Sequence, residues 1–326
     1  VARNNIADNE ILKSAFLEDI VMYTAIYALF FWLRRIGKKR QESGKNVSKL
    51  TAFLVGYCEW FYNIPFRRWC EKHPSKKFGL NLSKRRQKII VSLTSYPKRI
   101  NTVWMTIETL LRQSYRPDAI ILWLAESQFE GMKSLPDSLL RLCDRGLTIR
   151  FCDDLRSHKK YYYVMQEYPK DLVILVDDDI FYPYDTIQRL MKMHKKRPKD
   201  ICTMTAQIIE HSYCSPPSKW RNPKLQEKVE HSDHAQIYTG SGSLYPPQSL
   251  DERVFDKELI KRLCLNADDL WITFMAHKKG TKVTAEYKWR AFPVNIYGTF
   301  GGSLWHLNGV EGQNDMQWKA ITDYFN

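Results

Sequence analysis

Between Lys88 and Asp179, short apolar runs alternate with segments of helical period, and this rhythm restricts the chain more than any other feature. KIIVSLTSYP (88–97), DAIILWLAE (118–126), LTIRFCDD (147–154) and DLVILVDDD (171–179) read as buried strands. TVWMTIETLLRQS (102–114), residues 136–145 and YYYVMQEYP (161–169) read as the helices between them. Parallel strands need crossover connections, so the alternation predicts an α/β domain with a mainly parallel central sheet flanked by helices. Ligands of such sheets bind beyond the carboxyl ends of the strands. Each predicted strand ends in polar groups: Thr94–Ser95, Glu126, Asp153–Asp154 and Asp177–Asp179. One ligand site along that edge is expected.

The fourth strand runs straight into three aspartates, Asp177, Asp178 and Asp179. Carboxylates packed at a buried strand end are costly unless compensated, and a divalent cation compensates them directly. Asp177 and Asp179 stand two apart on extended chain and so are expected on one side. Their hard oxygens suit Mn²⁺ or Mg²⁺. The plainer alternative is a solvated acidic turn ahead of a helix at 184–193.

VDDDIFYP after an apolar strand resembles the DxD motif of glycosyltransferases with the GT-A (Rossmann-like) fold. Together with VSLTSYPKRI and CDDLRSHKKYYYVMQEYP it resembles bacterial enzymes of capsule and surface-polysaccharide synthesis, over residues 88–320. The resemblance implies a donor site for a nucleotide-sugar, expected to be UDP-linked. It places Thr94, Ser95 and Tyr96 at the base and ribose, Arg99 near a phosphate or the base, and Glu126, Asp153 and Asp154 facing the base or ribose. Asp177 meets ribose or metal, Asp179 binds the metal, and Asp178 is counted with the donor-binding residues, with a structural carboxylate as the alternative. Lys159 and Lys160 lie near the same edge, where a solvated basic turn is the competing reading.

Downstream, YTGSGSLYPP (238–247) supplies Gly240 and Gly242, which allow close backbone approach to a donor sugar. LNADDLWITFMAHKKG (265–280) reads as a helix with Asn266 able to cap it and Asp268 and Asp269 in its first turn. By resemblance that acidic pair supplies the general base of an inverting transferase, Asp269 first and Asp268 in reserve. In the Gly-rich tail (300–318), His306 is a candidate third metal ligand, and Asn314 and Asp315 belong to a lid over the donor. The QxxRW motif of processive synthases is absent, which implies transfer of single sugars.

The first quarter of the chain differs. Residues 1–88 carry 18 Lys/Arg against 7 Asp/Glu, whereas the whole chain has 50 against 36. Basicity concentrated in this way suits anionic lipid better than nucleic acid, and no nucleic-acid partner is expected. IVMYTAIYALFFWL (20–33) is uncharged but, as a helix, spans only about 21 Å of a hydrocarbon core of about 30 Å. With the aromatic-rich stretch 50–69, it predicts a basic helical appendage over residues 1–83. Attachment to a membrane interface is the favoured reading, and a hairpin packed on the core is the alternative. The catalytic domain is expected at 84–326, active without the appendage. No secretory signal is read. Seven scattered cysteines without a CxxC pair indicate reduced thiols, hence a cytoplasmic protein peripheral to the membrane.

The expected function is metal-dependent, inverting sugar transfer to a glycan or polyprenyl-diphosphate-linked acceptor. Two other classes compete. A nucleotidyltransferase would want a Gly-rich basic loop after the first strand, where TSYPKR has no glycine. A non-enzymatic basic binder of membrane or nucleic acid would use the N-terminal quarter alone.

Overall fold

The computed structural model describes residues 2–210, 215–286, 291–299 and 312–325. The chain opens with two long helices, α1 (Ala2–Glu42) and α2 (Lys49–Phe61). Ser48 starts α2 by accepting a hydrogen bond from the Thr51 amide at 3.1 Å. A π-helical turn at Tyr62–Phe66 follows, containing Pro65, which has no amide to give to a regular helix. It leads into α3 (Arg67–Lys72).

The α/β part runs β1 (Ile89–Thr94), α4 (Val103–Leu111), β2 (Ala119–Ala125), α5 (Asp137–Leu140), β3 (Leu147–Cys152), α6 (Lys159–Glu167) and β4 (Leu172–Leu175). Then come β5 (Ile180–Phe181), α7 (Thr186–Lys196), β6 (Ile201–Thr203), β7 (Ala206–Ile208), β8 (Ala235–Ile237) and β9 (Ser243–Tyr245). α8 (Lys257–Leu263), α9 (Asp268–Lys279), β10 (Val283–Ala285), β11 (Val294–Asn295) and α10 (Gln313–Phe325) complete it. All four expected strands and their intervening helices are present.

Seven strands form one sheet in the order β10-β6-β9-β4-β1-β2-β3. Every pairing in it is parallel except those of β9, which runs antiparallel between β6 and β4. From β1 the chain moves outward to β2 and β3, then returns to place β4 on the other side of β1. The order reverses between β1 and β4, and such a switch point opens a crevice at the carboxyl ends of the strands.

Side chains alternate across the sheet and build two cores. Ile89, Val91 and Leu93 with Leu172 and Ile174 face one side; Ile90, Val173 and Leu175 face the other. The second side is covered by Tyr161 of α6 and Leu270 and Trp271 of α9. Covering the first side are α4, α7 and, notably, the N-terminal hairpin through Tyr23, Tyr27, Phe30, Leu33, Phe61 and Tyr62. The hairpin also grips the two-residue strand that follows the aspartates. Tyr27 Oη donates to the Phe181 carbonyl, Tyr23 Oη to that of Tyr182, and Asn63 Nδ2 to that of Asn295 at 3.0 Å. β11 pairs with β5 beside it.

The hairpin thus packs on the core, the alternative reading of this segment. The apolar residues of 22–33 and 50–69 split between a buried face, which completes the core, and an exposed one. Among the described residues no helix is long and apolar enough to cross a membrane. Six cysteines are described, all as free thiols.

Candidate active site

A cleft of about 1350 Å³ opens at the switch point. β1 delivers Thr94, Ser95 and Tyr96; the turn after β4 delivers Asp177, Asp178 and Asp179; the start of α9 delivers Asp268 and Asp269. Gly240, from the loop before β9, forms part of the wall.

The three aspartates divide between two cations. Arg99 Nη1 holds Asp178 Oδ1 at 2.7 Å, and its Nη2 holds Asp179 Oδ2 at 3.0 Å. Ser95 Oγ donates to the other oxygen of Asp178 at 2.5 Å. Asp178 is therefore buried and fully engaged, and it ties the end of β1 to the end of β4. Asp177 turns the other way, to Lys160 Nζ at 2.6 Å. The expected pairing of Asp177 with Asp179 on one side of extended chain is thus replaced. β4 ends at Leu175, so the strand period no longer governs the aspartates.

Lys160 also reaches Asp268 Oδ2 at 2.9 Å and is itself buried. It bridges the aspartate turn to the acidic start of α9. Burial opposes its charge, but Asp177, Asp268 and Asp269 outweigh burial and keep it protonated well above the ordinary lysine range. Burial likewise works against the charge of Asp268, but Lys160 and His158 overcome it and hold that carboxyl down at about 2. Among the described residues no ion pair holds Asp269. Burial, then the neighbouring charge of Asp268, push it up to about 7. Its Oδ1 accepts from the Thr239 amide at 3.0 Å and from Thr239 Oγ1 at 2.6 Å, which fixes the carboxylate in place. Adjacent acids with such divided environments suit one for a structural anion and the other for proton transfer near neutral pH.

Asp179 is also raised to about 7, first by burial and then by Asp178. Asp177 and Asp179 both line the cleft, and their hard carboxylate oxygens are of the kind that suits a divalent cation, with Lys160 and Arg99 drawing them apart. Among the described residues no group of three His, Cys, Asp or Glu is arranged to hold a metal. Small hard cations are commonly held by one or two carboxylates completed by substrate phosphates. His306 lies outside the described residues.

Gly240 is required where it stands. A Cβ there would run into Asp177 Oδ2. Gly242 is buried behind the wall at φ +100°, a backbone conformation costly for other residues, and it does not line the cleft.

Two further expected residues stay outside. Glu126 begins an exposed 3₁₀ turn, because β2 stops at Ala125 and the turn carries the carboxylate away. Gln128, two residues on, lines the cleft instead and donates to Asp154 at 3.0 Å. Asp153 points to solvent and pairs with Lys257 at 2.6 Å. Asp154 does line the cleft and is held by Lys159 at 2.7 Å, so neither lysine of HKKYYY is a solvated turn. Asn266 precedes the N-cap position, which Ala267 occupies, and faces the cleft rather than capping α9. Asn314 and Asp315 reach the rim, where Asp315 accepts from Ser218 Oγ at 2.6 Å.

The chain is similar to a mannosyltransferase of Pyrobaculum calidifontis, PcManGT, solved with GDP-Man and Mn²⁺. The identity is 12% and the TM-score 0.46, over 84% of this chain and 75% of that one. It is also similar to TarS of S. aureus, at 13% identity and a TM-score of 0.46, over 73% of this chain and 42% of that one. The 1–349 fragment of TarS with UDP matches at 13% identity and a TM-score of 0.42, over 61% of this chain and 57% of the fragment. This chain thus spans less than two thirds of either TarS structure. No protein-family model matches it, and no curated protein does.

Two working residues were legible only as letters in a motif. Thr239, in YTGSG, carries no sequence signal of its own beside the glycines, yet it holds Asp269. Tyr182, in VDDDIFYP, accepts from the Asp177 amide at 2.8 Å and donates to the Gly240 carbonyl. It thereby locks the aspartate turn to the glycine wall.

Buried polar atoms at the cleft also await partners. Among the described residues Tyr96 Oη, Arg99 Nε and Thr205 Oγ1 have none, which fits a polar, anionic guest.

Proposed function

We propose that the protein is an inverting glycosyltransferase that uses a nucleotide-sugar, expected to be UDP-linked, to extend a glycan or lipid-linked glycan in surface-polysaccharide synthesis. One observation carries the reading: Lys160 links a cleft aspartate at the switch point to an acidic pair whose second member, Asp269, is raised to about 7. The donor diphosphate lies at the Asp177–Asp179 turn, with Arg99 and Lys160 fixing its carboxylates. Asp269 accepts the proton of the acceptor hydroxyl. That oxygen bonds to the anomeric carbon as the carbon–oxygen bond to the nucleoside diphosphate breaks. Asp177 and Asp179 would hold Mn²⁺ or Mg²⁺, which when bound offsets the charge on the departing diphosphate. Because the N-terminal hairpin is basic and partly apolar outside, we place the enzyme at the cytoplasmic face of a membrane.

The deciding experiment is a screen of nucleotide-sugars with Mn²⁺, measuring nucleoside diphosphate release from the intact chain. One donor should be turned over by the wild type and not by Asp179→Ala at equal folded content. Release of inorganic diphosphate from a nucleoside triphosphate and a sugar phosphate, with no turnover of any nucleotide-sugar, would establish a nucleotidyltransferase, and full activity of Asp179→Ala would overturn the metal-site assignment.

A further inference from the structure

The N-terminal hairpin has an outward side that the core does not use. On α2, Leu50, Phe53, Tyr57 and Trp60 follow the spacing i, i+3, i+7, i+10 and form one stripe. Phe53 is 70% exposed and Trp60 43%. On α1, Met22, Leu29 and Trp32 form a second stripe, with Trp32 58% exposed. The two helices run antiparallel. Tyr62 Oη donates to the Tyr23 carbonyl at 2.6 Å, while at the far end Gly37 lies against Val47. Scattered apolar residues on a surface need no explanation, but two helical-period stripes on one hairpin make a patch.

Cations surround that patch. Residues 22–72 hold ten Lys/Arg against three Asp/Glu, and Arg34, Arg35, Lys39, Arg40, Lys45 and Lys49 are all exposed. A face for a second protein copy would set this charge against itself, whereas an anionic surface complements it. Aromatic side chains rimmed by Lys and Arg match the headgroup region of a bilayer. The same hairpin also reaches the active site. Leu33, Arg34, Val55 and Gly56 line the cleft that holds Asp177 and Asp269. At about 1350 Å³, that cleft exceeds the roughly 300–1,000 Å³ of a single small-molecule site.

We infer that the α1–α2 hairpin lies on an anionic bilayer through its outer stripes, and that its inner side forms the acceptor half of the cleft. The acceptor is then a membrane-anchored, amphiphilic anion presented at the bilayer surface. This rests on the membrane placement proposed above and not on the identity of the sugar.

The test uses the intact chain and sedimentation with vesicles of phosphatidylcholine alone or with about 30 mol% phosphatidylglycerol. Binding to the anionic vesicles should be at least about tenfold stronger, and about 0.5 M salt should weaken it. The double variant Trp32→Ser/Phe53→Ser should lose about tenfold in vesicle binding, from lost apolar burial, with an unchanged thermal melt. Equal binding to both vesicles, or undiminished binding by the double variant, overturns the inference. A wild-type dimer in light scattering that the double variant converts to monomer also overturns it, by assigning the stripes to a second copy. Nucleoside diphosphate release, measured on the same samples without vesicles, reports separately on the transfer reaction.

Discussion

Asp269→Asn separates the proposed chemistry from the fold. The raised pKa of Asp269, about 7 against about 3.9 for a free aspartate, means that the folded chain resists ionising it. Three units correspond to about 4 kcal/mol, the ceiling on what its charge costs the fold above pH 7. The sign follows from linkage. Between about pH 4 and 7 the folded state binds this proton more tightly than the unfolded state, so stability falls as pH rises through that window. Asparagine keeps an acceptor for both Thr239 donors and removes the charge. We expect a gain of about 1–4 kcal/mol at pH 8 and almost none at pH 4. Over 326 residues, unfolding entropy of about 2.1 cal/mol/K per residue makes that a rise of roughly 1.5–6 °C in Tm. Turnover should fall by about 10²–10⁴, the usual worth of a general base. The wild-type rate should climb with pH through about 7. Melts at pH 4 and 8, with nucleoside diphosphate release on a competent donor–acceptor pair, measure both effects. A variant that turns over normally moves the base elsewhere, and one no more stable at pH 8 refutes the buried-charge argument.

Gly240→Ala should lower turnover at least about tenfold by displacing Asp177, whose oxygen occupies the Cβ position, as steady-state kinetics would show. Lys160→Met leaves Asp177 and Asp268 without their shared cation, and breaking a buried pair costs about 3–5 kcal/mol. Its Tm should therefore fall, and an unchanged melt would show the bridge to be dispensable. Deleting residues 1–83 removes seven aromatic or aliphatic side chains, from Tyr23 to Phe66, from the core. At about 1.5 kcal/mol each this is roughly 10 kcal/mol, comparable to the whole stability of a domain. The truncated chain should be insoluble or lack a cooperative melt, and a soluble, cooperatively folding product would restore the dispensable appendage.

Strand and helix positions were readable because burial on both faces of a parallel sheet leaves long apolar runs, as in Ile89–Leu93 and Leu172–Val176. The polar strand ends were readable for the same reason, since the run must stop where the crevice begins. Glu126 shows where this fails. One residue past the end of β2 the backbone leaves the strand, and nothing in the letters fixes where the next carboxylate points. The double role of Lys160 was equally hidden. Its partners lie 17 and 108 positions away in sequence, and only the packing of α6 under β4 and α9 brings them to one ammonium group.

By itself, then, the sequence determined the alternating architecture, the edge on which a site must lie and the acidic residues available to it, because these depend on local period and on the cost of burying charge. The tertiary structure decided which carboxylate is neutralised and which is left basic. It also turned the N-terminal quarter from an appendage into a wall of the core and of the cleft. Both outcomes depend on contacts between segments far apart in the chain, where a difference of a few ångströms selects one ion pair over another.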